Sequence, residues 1–204
     1  MRKIFILLAL AALASLAIGT ATVLAHDDGD DNGDAQACTT QQAGREGDDE
    51  SSKIRFREEE GTSGDDHVQG TDGRDDERGD DGDDEMRGDD GDDELDGDRG
   101  DDELCGDRGD DDLNGGPGND HMHGGPGDDD LNGGSGNDVE DGDAGNDDIT
   151  GGRGKDVLVG AAGNDVIRAR DGRRDRINCG RGRDRVSADR KDHVARNCER
   201  VKRH

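Results

Sequence analysis

The sequence predicts an all-β solenoid, a chain wound into short stacked strands, and three observations predict it. A nine-residue unit recurs twelve times without a gap from Gly61 to Arg168, with Gly at its first and fourth positions in every copy. The sixth position is always Asp: Asp66, Asp75, Asp84, Asp93, Asp102, Asp111, Asp120, Asp129, Asp138, Asp147, Asp156 and Asp165. The eighth is apolar in ten copies: Val68, Met86, Leu95, Leu104, Leu113, Met122, Leu131, Ile149, Leu158 and Ile167. A strict period of this kind marks a repeat architecture, in which each unit buries its apolar side only by stacking on its neighbours. The first six residues of the unit form a turn, because glycine reaches backbone angles closed to other residues. The remaining three read as a short strand with the middle residue inward. Two units make one coil. Coils stacked about 4.8 Å apart give twelve units a rod core about 29 Å long.

Composition points the same way. Only 25% of the 204 residues are hydrophobic; there are two Phe and no Trp or Tyr, and the net charge is −28. That is too little apolar volume for an ordinary globular core of this length. Taken alone it describes a disordered chain, but disorder requires no nine-residue register. A chain disordered without a ligand and ordered with one reconciles the two. The acidic charge is concentrated in residues 61–168, which hold 37 acidic and 8 basic side chains. Such a polyanion repels nucleic acid and anionic membranes and attracts hard divalent cations.

The N-terminal elements come first. Arg2 and Lys3 precede an apolar stretch from Ile4 to Ile18, and Val23-Leu24-Ala25 offers small residues for cleavage. Residues 1–25 therefore read as a secretory signal, cut after Ala25, with no stretch long enough for stable membrane insertion. The expected location is extracellular, where calcium modules work with weak sites, about 10⁻⁴–10⁻³ M in affinity. Residues 26–60 are an acidic leader, read as flexible. Within it Lys53-Ile54-Arg55-Phe56-Arg57 alternates like a strand that caps the first coil. Asp28-Gly29-Asp30-Asp31-Asn32-Gly33 resembles half of an EF-hand loop, but Thr39 stands where that loop needs a bidentate Glu.

The array itself, residues 61–168, comes in two flavours. Copies such as Gly115-Gly116-Pro117-Gly118-Asn119-Asp120 carry the full glycine frame. From Gly79 to Asn114 the second Gly is replaced by Asp, as at Asp98. Aspartate tolerates the left-handed conformation better than most residues, so the turn is expected to survive. Two copies place Glu77 and Glu140 at the core position, and an inward carboxylate makes those turns suspect. Beyond Arg168 the spacing slips: Asp175, Asp184 and Asp192 follow at ten, nine and eight residues, each with an apolar residue two places on. Residues 169–204 read as degenerate repeats forming a basic cap over the last apolar layer.

The chemistry of the unit is that of oxygen donors. Glycine turns aim carbonyl oxygens at a common centre, and the Asp adds a carboxylate. Calcium takes six to eight oxygens at about 2.3–2.6 Å, which one turn cannot supply and two facing turns can. The pattern resembles the RTX, or haemolysin-type, calcium-binding repeat, closely over 61–168 and loosely over 169–204. The resemblance implies a parallel β-roll with Ca2+ between successive loops. It implies the sixth-position aspartates as carboxylate ligands, and Gly116, Gly118, Gly125, Gly127, Gly134 and Gly136 as sources of carbonyl ligands. Sites would number on the order of ten, offsetting most of the array's self-repulsion. The implied function is that of an exported, non-enzymatic calcium-binding protein that folds on meeting the ion. A calcium-stiffened adhesin or matrix protein, or an accessory module for an exported enzyme, is the alternative. A cell-envelope or extracellular protein partner fits either.

The remaining features are secondary. Cys179 and Cys198 are separated by close to one coil and are expected to form a disulfide that staples the cap. Cys38 and Cys105 either pair or remain thiols. His121-Met122-His123 puts two imidazoles on one outer face, with too few ligands for a metal on their own. Arg173, Arg174, Arg176, Arg181, Arg183 and Arg185 could meet an anionic polymer. Without interleaved aromatics they are better read as neutralising the acidic end of the roll. No nucleophile elbow or tuned carboxylate pair points to an enzyme.

Overall fold

The computed structural model describes Cys38 and residues 58–204. The signal, most of the leader, the Lys53–Arg57 strand and the EF-hand-like segment lie outside the described residues. Those that are described form a parallel β-solenoid of strands and turns, with no helix among them. Apart from Ala162–Gly163 and Arg181–Gly182, which pair with each other, strands of two to four residues alternate between two facing sheets. One has nine strands, running from Glu58–Glu60 to Arg200–Arg203, and the other eight, from His67–Gln69 to His193–Val194. Every neighbouring pair is parallel, and through the array partners stand two repeat units apart, as in Leu104↔Met122 and Leu113↔Leu131. This is the two-unit coil. Glu58–Glu60, placed in the leader by sequence, pairs in register with Asp76–Arg78 and is the first strand.

Each strand turns one residue inward. Met86, Leu104, Met122 and Leu158 line one sheet; Leu95, Leu113, Leu131, Ile149 and Ile167 line the other, and all are fully buried. The core is thus two facing files, about one apolar side chain per repeat unit. The turns of Glu77 and Glu140 do not break down. Both glutamates are buried, and their strands keep the register of the array, Glu77↔Leu95 and Glu140↔Leu158. Backbone pairing on either side fixes the register whatever the inward side chain costs.

The second position of the repeat carries the corner. It adopts positive φ in Asp80, Asp89, Asp98, Asp107 and Asp143 as it does in Gly116, Gly125 and Gly134. The Asp-bearing copies therefore make the same turn as the Gly-bearing ones. At the fourth position the demand is steric: a Cβ on Gly118 would lie 1.4 Å from the Gly100 carbonyl oxygen of the preceding coil.

Past Arg168 the coils change length. The coil that joins Val157–Val159 to Arg176–Asn178 is one residue longer than those of the array, and the coil that joins Arg185–Ala188 to Arg200–Arg203 is shorter. Ile177 and Val186 continue the inward files there, and Ala169, Cys179 and Ala188 add buried side chains where the array has first-position glycines. Cys179 and Cys198 are disulfide-bonded with Cα atoms 5.2 Å apart, and Cys38 is bonded to Cys105 at 5.9 Å. A bridge closing about 20 residues contributes roughly 3 kcal/mol by restricting the unfolded chain. Cys198→Ala is therefore expected to lower the unfolding free energy of the folded roll by about that amount. Denaturant titration measures it, and an unchanged midpoint would show that the cap is held by packing alone. The tail arginines are held out in solvent. Arg173, Arg174, Arg176, Arg181, Arg183 and Arg185 are all exposed and make no ion pair among the described residues.

Candidate metal centre

The sixth-position aspartates form two continuous ladders, one at each edge of the roll. From Asp84 onward, Oδ1 of each accepts the backbone N–H of the aspartate one coil earlier. Asp84 accepts from Asp66, Asp102 from Asp84, Asp120 from Asp102 and Asp138 from Asp120, at 2.8–3.0 Å. Asp93, Asp111, Asp129, Asp147 and Asp165 repeat the pattern on the other edge. The ladders continue into the cap through Asp175, Asp184 and Asp192, and Glu199 Oε2 takes the last rung by accepting from Asp184.

This bond fixes the carboxylate and turns its second oxygen inward, against the first-position glycine of its own copy. A Cβ on Gly115 would stand 2.5 Å from Asp120 Oδ2, so only Gly leaves the oxygen room. In Asp84, Asp93, Asp102, Asp111, Asp120, Asp129, Asp138, Asp147, Asp156, Asp165 and Asp184 that Oδ2 is buried without a hydrogen-bond partner. Rows of orphaned anionic oxygens are too costly to stand alone. Burial, before the charges of neighbouring carboxylates, pushes Asp93, Asp102, Asp129, Asp138, Asp147 and Asp156 up to about 7. Asp111, Asp120, Asp165 and Asp175 rise to about 6 for the same leading reason. The ladder hydrogen bond opposes the shift in each case but does not cancel it.

The first two copies differ. Thr62 donates its backbone N–H and its hydroxyl to Asp66 Oδ2 at 2.6 and 2.8 Å. Thr71 does the same for Asp75 Oδ2 at 2.7 and 3.0 Å. Asp66 and Asp75 thus have their second oxygen satisfied from within. The signal was visible in the sequence, since only these copies carry Thr at the second position, but its meaning needed the turn geometry.

The glycine carbonyls also divide. Those of Gly116, Gly125 and Gly134 accept backbone N–H groups from Ser135, Ala144 and Arg153 at 2.8–2.9 Å and belong to the coil-to-coil ladder. Those of Gly118, Gly127 and Gly136 point into the gap toward the next coil. There the position a Cβ on Gly136 would take lies 1.3 Å from Gly118 O and 2.9 Å from Asp138 Oδ1. The unpartnered Oδ2 atoms and the glycine carbonyls thus offer oxygen donors alone, a set suited to a hard dication of calcium's size and coordination number. The residues present fit that ion.

Comparison with known proteins agrees. The RTX calcium-binding nonapeptide repeat family matches the chain four times, over residues 60–76, 78–113, 106–140 and 141–174, together more than half of its length. No curated protein matches it.

Proposed function

The chain belongs to the RTX calcium-binding nonapeptide repeat family, a repeat that binds Ca2+, and from that premise we propose that it is an exported, non-enzymatic protein whose roll forms when it meets extracellular calcium. One observation carries the reading: eleven buried Asp Oδ2 atoms without a partner, stacked at coil spacing. The interior cannot offset them by itself, because each coil adds only two inward side chains. Folding free energy must then come largely from the ion, as in other small metal-dependent domains. The aspartates from Asp84 to Asp165 are the proposed carboxylate ligands, with the carbonyls of Gly118, Gly127 and Gly136 beside them. Asp66 and Asp75, already bonded by threonine, close the N-terminal end. The signal-like pattern of residues 1–25 supports export. The repetition of one donor set along the roll, rather than a single constellation, supports a non-enzymatic role.

A calcium titration of residues 26–204 followed by far-UV circular dichroism tests it. A cooperative gain of β-sheet signal is expected near millimolar calcium, the range of extracellular modules, and none with magnesium, which holds its waters too tightly for such a cage. A coil-like spectrum up to about 10 mM calcium would overturn the reading. The exposed cationic end coils favour a second role as an adhesive or accessory module. Retention on purified cell envelope, or co-purification with one exported enzyme, would identify it.

A further inference from the structure

Outside the ladders, one cluster on the outer surface joins side chains from adjacent coils. His123 ends the strand His121–His123, and Asp141, its register partner, ends the next strand of the same sheet. Asp143 follows two residues later, at a corner held at φ 60°. One potential ligand atom from each lies within 4.8 Å of the others, and all three residues are half-buried. His123 Nδ1 faces Asp143 Oδ2 at 3.5 Å. The Asp143 N–H donates to Asp141 Oδ1 at 3.0 Å and fixes the two carboxylates relative to each other.

The same relation between a ninth-position residue and a second-position Asp one coil on occurs twice earlier. Gln69 Nε2 donates to Asp89 at 3.0 Å, and Arg87 Nε stands 3.6 Å from Asp107. There a single carboxylate meets an amide or a permanent cation. At His123 the balance is broken. The next ninth-position residue is itself an aspartate, so one imidazole faces two carboxylates. The coil above supplies only Val159 and Ala161 at the corresponding positions. Two carboxylates held this close, half out of water, share a single imidazole, which can balance only one of them.

We propose that His123, Asp141 and Asp143 form a site for a transition dication of zinc's class, separate from the calcium ladders. An imidazole nitrogen with two carboxylate oxygens suits zinc, whereas calcium is served by oxygen alone. Three protein ligands leave a fourth, solvent-facing position for water. His121, on the same strand, is exposed and lies outside the cluster. The site depends on coil stacking and not on which residues hold calcium.

The test uses the tag-free chain in about 10 mM calcium, above the weak extracellular range, so that the acidic array is saturated and the roll is formed as judged by circular dichroism. Zinc is titrated by calorimetry, and cobalt serves as the visible-absorption probe. One zinc per chain is expected, displacing cobalt from a tetrahedral-type spectrum. His123→Ala and Asp143→Asn are expected to weaken binding by at least about tenfold with the circular dichroism unchanged; asparagine tolerates the positive φ. His121→Ala is expected to leave binding as it was. No zinc binding beyond that of His123→Ala, or a loss that follows His121 instead, would overturn the site.

Discussion

Acid replaces calcium: the chelator-treated chain is expected to gain β-sheet signal when moved from about pH 8 to about pH 5.5. Ten ladder aspartates are raised to about 6 or 7 in the folded chain. In the unfolded chain they titrate near 3.8. Between those values the roll holds protons that the coil has released. Unfolding free energy therefore falls as pH rises, and what protonation contributes is fully present below about 3.8 and lost as pH passes through 6 to 7. A proton on Oδ2 removes the charge that burial makes costly, which is the task assigned to calcium. The lower pH is kept above the isoelectric point near 4.3, where the chain would lose its charge and precipitate. Circular dichroism across the range reads the result. In parallel, the calcium concentration needed for folding is expected to rise as pH falls through 7, because the proton and the ion compete for the same oxygens. A calcium-free spectrum that is flat from about pH 8 to 5.5, or a calcium midpoint indifferent to pH, would show that the ladder carboxylates are not what opposes folding.

How much of this was legible in the sequence follows from what the period encodes. A nine-residue repeat fixes the coil, the inward file and the line of aspartates, because each depends only on position within the unit. The left-handed corner at Asp98 was readable for the same reason. Relations across coils were not. That Asp120 Oδ1 bonds the N–H of Asp102, leaving Oδ2 stranded, depends on how carboxylates orient between stacked turns. The pairing of His123 with Asp141 and Asp143 was hidden likewise. Asp141 lies one coil beyond His123 and Asp143 slightly further, spacings that mean nothing until the coil length is known to hold through Glu140. The cap shows the converse limit. Its coils, first lengthened and then shortened, keep the ladder alive by recruiting Glu199, and no spacing rule in the array anticipates that substitution.

Glu140→Leu is expected to stabilise the calcium-free roll by about 3–5 kcal/mol, combining relief of a buried polar group with burial of an apolar one. Glu140 is fully buried between Met122 and Leu158, and neither of its carboxylate oxygens has a hydrogen-bond partner of normal geometry. Burial first, then the charges of Asp138 and Asp156, holds its carboxyl well above the usual range, and the nearby Gly133 N–H opposes this only in part. Leucine has nearly the volume of its neighbours in the file and continues a packed column that the glutamate interrupts. The pH dependence separates this account from simple cavity filling. The cost of the glutamate grows as pH rises above its ordinary value near 4.5, where the unfolded chain ionises it freely and the folded one does not. The gain from leucine is therefore expected to be larger at about pH 8 than at about pH 5, and both can be read by chemical denaturation in the presence of enough osmolyte to fold the calcium-free chain. A pH-independent gain would mean that packing alone was improved. A loss of calcium affinity in the variant would instead make Glu140 a ligand, its carboxylate reaching the gap at Gly133, where the position of an added Cβ lies 2.3 Å from its Oε1 and 2.7 Å from Asp138 Oδ2.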